Sequence, residues 1–116
     1  MKWYLAKLVF RIICANGDHK PQFDEQLRLI YAQDDLHAFH KARLIGETEN
    51  VDNIVTMVKW KFIDVSELHL LTELTDGAEI YSKVMEEDEP ERYITHIQKR
   101  ATQLLQNGLH QFTGLN

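Results

Sequence analysis

Residues 1–14, MKWYLAKLVFRIIC, decide how the rest of the chain is read. A lysine followed by an apolar run imitates a secretory signal, but Lys7 and Arg11 interrupt the run, and no small-residue cleavage pattern follows before Asn16 and Gly17. Cys14 follows Arg11, Ile12 and Ile13, where a lipoprotein cysteine would need small residues. Read with a period of two, the stretch puts Tyr4, Ala6, Leu8, Phe10, Ile12 and Cys14 on one face and Trp3, Leu5, Lys7, Val9, Arg11 and Ile13 on the other. The first set is a core face and the second is amphipathic. The stretch is therefore expected to be a strand.

Outward from it, composition sets the class. The chain has 116 residues, 44% hydrophobic and 27% charged, which suits one globular domain over 1–116 with a single core. One cysteine cannot close an intramolecular disulfide and excludes a multi-cysteine zinc or iron–sulfur site. A net charge of -5 argues against general nucleic-acid binding. No stretch approaches the roughly 18 apolar residues of a membrane helix, so the expectation is a soluble, cytoplasmic protein with no membrane partner.

Asn16-Gly17 is the strongest turn signal after the first strand, and it predicts a hairpin. In its partner, QFDEQLRLIYAQ (22–33), Phe23, Leu27, Leu29 and Tyr31 fall together, with Asp24, Gln26, Arg28 and Ile30 opposite. Asp34 can cap a helix whose stripe is Leu36, Phe39, Ala42 and Ile45, and Gly46 marks where it would unravel. A long strand follows over 54–71, with Val58, Trp60 and Phe62 opposite Met57, Lys59 and Lys61. Asp76-Gly77 signals a turn into a short strand around Ile80 to Val84. The last helix is capped by Asp88 or Glu89, carries Pro90 in its first turn, and ends at Asn107-Gly108, with Leu109 and Phe112 free to pack back. Its stripe is Tyr93, Ile94, Ile97, Ala101, Leu104 and Leu105. The expected class is α+β, an antiparallel sheet in ββαββα order with both helices on one face, Phe10 and Trp60 beneath them.

Three blocks carry a resemblance: WYLAKLVF (3–10), VKWKFIDVSELHLL (58–71) and DGAEIYSKV (76–84). In that order they resemble the family named domain of unknown function 4288, whose pattern is W-Y-x-x-(K/R)-L-x-F, then V-x-W-x-F-(V/I)-x-V, then G-x-E-(I/V)-(Y/F)-S. The similarity spans roughly residues 3–87 and implies a bacterial, cytoplasmic, single-domain protein. It carries over no catalytic residue and no cofactor.

The residues themselves offer little chemistry. His37 and His40 stand three apart on a helix, a spacing that suits two metal ligands, but a third ligand is missing and two solvated histidines are the better reading. Cys14 has core-facing parity, unlike a reactive thiol. Five glycines and no phosphate-loop or nucleophile-elbow motif give phosphate-cradling loops little support, and no cofactor is expected. A binding module is favoured over an enzyme, which would need Lys7, Arg11 and Glu79 to converge in a pocket. The acidic run Glu86, Glu87, Asp88, Glu89 and Glu91 complements a helix N-terminus.

What remains is the second sheet face, expected to show Trp3, Leu5, Lys7, Val9, Arg11, Arg28, Ile30, Met57, Lys59, Lys61, Glu79, Tyr81 and Lys83. Its apolar members exceed what a monomer usually leaves together in water. A protein-interaction module forming a homodimer, with the cations at the rim, uses such a face best. The alternatives are single-stranded nucleic acid stacked on Trp3 and Tyr81, or a small ligand held by Lys7, Arg11 and Glu79.

Overall fold

The computed structural model describes residues 1–14, 19–53 and 57–114, of which 51–53 and 109–114 by backbone only. The chain forms two compact units, 1–82 and 83–116, each described by itself. The first holds β1 (Lys2–Cys14), β2 (Gln22–Ala32), α1 (Asp35–Thr48), β3 (Val51–Asn53) and β4 (Val58–Leu71), and the second holds α2 (Pro90–Gly114). The strands make one antiparallel sheet in the order β2-β1-β4-β3, so the α+β class holds.

The expected ββαββα order does not hold as it was read. The Asp76-Gly77 turn forms, with Gly77 at φ 82° and Ala78 N–H donating to the Thr75 carbonyl at 3.0 Å, but residues 78–87 make no strand. Tyr81 is instead held by side chains of the sheet's face, through Glu67 and His69. The long elements therefore run ββαβα, and the additional strand is the three-residue β3, which precedes β4. The Asn16-Gly17 turn and the start of the third expected strand at 54–56 lie outside the described residues.

The core lies between the sheet and α1. Tyr4, Ala6, Leu8 and Phe10 of β1 meet Ile30 and Ala32 of β2 and Ala38 and Ala42 of α1, with Ile45, Trp60, Phe62, Val65 and Leu68 packed around them. Each large side chain buried there contributes about 1.5–3 kcal/mol. Asp34 caps α1 as expected, its Oδ1 accepting from His37 N–H at 2.8 Å. The buried stripe of α1 is Ala38, Ala42 and Gly46, while Leu36 is exposed. Small residues bring the helix close to the sheet, and Gly46 lies within the helix because Phe62 occupies the space where a β-carbon would stand. The helix ends two residues later, at Thr48.

β4 makes two register shifts against β1, between Lys7 and Leu8 and between Val9 and Phe10. Both are β-bulges in kind, each adding a residue to β4 and sharpening the local twist. Met57, at φ 58°, enters β4 in the left-handed region. Asn50 Oδ1 accepts from Phe62 N–H at 2.6 Å, so a side chain extends the β3–β4 pairing beyond Val51.

In the second unit, Pro90 opens α2 and the Tyr93 amide donates to the Glu89 carbonyl at 3.1 Å. Asn107-Gly108 does not end this helix, which continues to Gly114. A glycine within a helix costs about 1 kcal/mol, too little to stop one whose apolar spacing runs on through Leu109 and Phe112 in the sequence. The expected packing of Leu109 and Phe112 lies outside the described side chains.

Candidate interaction face

Opposite α1, the sheet presents a face set by β1's odd residues. Directly paired residues on neighbouring strands share a face. Trp3 stands between Tyr31 and Leu71, Leu5 between Leu29 and His69, and Lys7 between Leu27 and Glu67. Val9 faces Glu25, and Arg11 stands between Phe23 and Lys61. The Trp3 and Tyr31 rings pack at 4.7 Å, and the Arg11 guanidinium lies 6.0 Å from the Phe23 ring. This face has an apolar ridge along β2 and a basic end at Arg11 and Lys61.

Its centre is polar. Glu67 receives Lys7 Nζ at 2.6 Å, Tyr81 O–H at 3.3 Å and His69 Nε2 at 3.4 Å, and the Tyr81 ring packs edge-on against His69. Lys7 also sits 5.8 Å from the centre of the Tyr81 ring. The bond to Glu67 raises the Lys7 amine above its ordinary value, and the same bond holds the Glu67 carboxyl below its own. Both groups are therefore charged near neutrality, and the cluster ties Tyr81 to the sheet.

Several expected members stand elsewhere. Arg28 and Ile30 face α1: Ile30 is buried in the core, and Arg28 forms a bidentate pair with Glu49 beside α1's last turn. The cause is a one-residue difference of register, which exchanges every side chain of a strand between faces. Phe10 pairs with Asp24 and Arg11 with Phe23, so Phe23, Leu27, Leu29 and Tyr31 take the open face that Arg28 and Ile30 were expected to hold. Leu5 is on the open face but buried. Met57 is exposed in the turn before β4, and Glu79 is exposed and joins none of the bonds at Lys7, a role taken by Glu67. Lys83 falls in the second unit. Lys59 and Lys61 lie on the open face as expected, opposite Ile13 and Arg11.

Phe10 is buried as expected, whereas Trp60 is half-buried, past the end of α1. His37 Nδ1 accepts from Gln33 N–H at 3.0 Å, and His19 Nε2 accepts from Cys14 N–H at 3.0 Å, so both imidazoles serve the backbone. Among the described residues no helix is long and apolar enough to cross a membrane.

The first unit is thus an α+β layer pair, one helix on an antiparallel sheet whose other face is open. Its limits coincide with a family: the model described as Domain of unknown function (DUF4288) matches residues 3–82, and the chain belongs to that family. No curated protein and no solved structure matches the chain.

Proposed function

We propose that the chain is a non-enzymatic, cytoplasmic protein-interaction module that forms a homodimer through the open face of its sheet. One observation carries this reading: Trp3, Phe23, Leu27, Leu29 and Tyr31 are 39%, 56%, 52%, 53% and 41% exposed on one side of two paired strands. Trp3, Leu27, Leu29 and Tyr31 form a contiguous apolar surface, set apart from Phe23 by the exposed Glu25, and that surface gains free energy when a partner removes it from water. A second copy is the partner favoured, because a two-fold axis lets one apolar ridge cover another while Arg11 and Lys61 stay at the wet rim. Sedimentation equilibrium at micromolar concentration tests it: a dimer is expected, and a monomer at high micromolar concentration overturns it. The alternative is single-stranded nucleic acid, favoured by Arg11 against Phe23 beside Lys61 and opposed by the net charge of -5. Salt-sensitive binding of a labelled oligonucleotide by a monomer would select it.

A further inference from the structure

The two layers of the first unit differ in length. At about 3.3 Å per residue the 13 residues of β1 run roughly 43 Å, whereas the 14 residues of α1 at 1.5 Å each reach about 21 Å. The helix-side face of the sheet therefore continues past the end of α1 at Thr48. There a cleft of about 440 Å³ opens, lined by Phe10, Gln26, Thr48, Glu49 and Trp60. This volume is within the range of small-ligand sites.

Gln26, Glu49 and Trp60 in the lining are joined through Asp24 and Arg28 behind them in a connected polar row. The Trp60 indole Nε1–H reaches across β1 to Asp24 Oδ2 at 3.4 Å, and Gln26 Nε2 donates to the same oxygen at 2.6 Å. Gln26 Oε1 accepts from Arg28 Nη2 at 2.6 Å, and Arg28 completes the row with its two bonds to Glu49. Arg28's donors are thus turned inward to Gln26 and Glu49.

The charge of this row has a definite sign. Asp24 and Glu49 are two carboxylates against one guanidinium, which leaves one negative charge. The bond from Arg28 holds the Glu49 carboxyl below its ordinary value, so Glu49 stays charged. The negative end of the α1 dipole falls here too, beside the Arg28–Glu49 pair. Aromatic rings line the same space, and ring faces attract cations.

We propose that this cleft binds a small organic cation, an amine or guanidinium, between Trp60 and the Asp24–Glu49 carboxylates. An anion of the same size meets net negative charge, and a neutral analogue loses the Coulomb attraction. The site lies on the opposite side of the sheet from the proposed dimer face and stands or falls independently of it.

The full chain labelled with nitrogen-15 tests this, its Trp60 indole N–H resonance identified by comparison with Trp3→Phe. Titration with n-butylguanidinium is expected to move that resonance saturably, whereas n-butanol and n-butanoate leave it in place. Asp24→Asn and Glu49→Gln, each confirmed folded by a thermal melt, are expected to weaken binding by about fivefold to tenfold. The half-exposed Glu49 site serves if Asp24→Asn fails to fold. An equal response to butanol or butanoate, or unchanged affinity in the folded variants, overturns the proposal. A pentapeptide with a central arginine separates the sources of the cation. Binding tighter than that of butylguanidinium identifies a protein side chain, and weaker binding a free small molecule.

Discussion

Gly46 of α1 lies against the ring of Phe62 in β4, so close that a β-carbon on Gly46 would overlap three ring atoms. With Ala38 and Ala42, this contact lets the helix ride close on the sheet. In a free helix Gly→Ala is favourable by about 1 kcal/mol. Here Gly46→Ala is expected to destabilise by about 1–3 kcal/mol through overpacking, read as a lower midpoint in urea. A raised midpoint would show that the helix can lift off without cost.

Phe10 is fully buried and packs on Phe62 at 5.4 Å between ring centres. Phe10→Ala is expected to cost about 3–5 kcal/mol by leaving a cavity under α1. Chemical denaturation measures it, and a loss under about 1 kcal/mol would remove Phe10 from the core.

Arg43 of α1 clasps Asp64 of β4 with two bonds of 2.9 and 2.8 Å, and Val65 N–H adds a third at 2.8 Å. These bonds, the one from Arg43 foremost, lower the Asp64 carboxyl from 3.8 to about 2. A lowered folded-state value stabilises the fold above pH 3.8, and that share is lost as pH falls from there through about 2. The urea midpoints of the wild type and Asp64→Asn should differ by a constant amount above pH 4 and converge toward pH 2. Because the pair is half exposed, added salt should shrink the difference.

The proposed dimer separates two leucines that face each other across β1 and β2. Leu29→Glu, on a half-exposed side chain, should leave the monomer folded and weaken self-association at least about tenfold in sedimentation equilibrium. Leu5→Glu, on a side chain 4% exposed, should cost about 3 kcal/mol or more of stability instead. A dimer indifferent to Leu29→Glu would place its interface elsewhere.

Much of the architecture was legible because it follows from parity and caps. Alternation in residues 2–14 assigned β1's faces, Asp34 marked the start of α1, and Trp60 and Phe62 fell on the helix side. The faces of β2 were not legible. A two-residue turn on Asn16-Gly17 would, by counting back, oppose Phe10 to Phe23, whereas Phe10 opposes Asp24. Only the register decides between them, and both versions alternate equally well. The grouping of Phe23, Leu27, Leu29 and Tyr31 was visible as a set, but its side of the sheet was not. Glu67 and His69 carried no local signal at all, since their role depends on Lys7 and Tyr81 arriving from distant parts of the chain.

The paired register shifts of β4 work like two phase slips in a wave. The first inverts the strand's alternation relative to β1 and the second restores it, so Phe62 and Leu68 share a side while Val65 between them keeps to that side out of step. Length in this segment is consequently constrained in units of the pair. Removing one residue from 63–66 would leave a single slip and turn half of β4 inside out, driving Trp60 and Phe62 into water or Leu68 away from the core. Removing one residue from each shift would cancel both slips and keep every face. Inserted or deleted residues in β4 should therefore be tolerated in compensating twos, with the twist as the quantity that gives way.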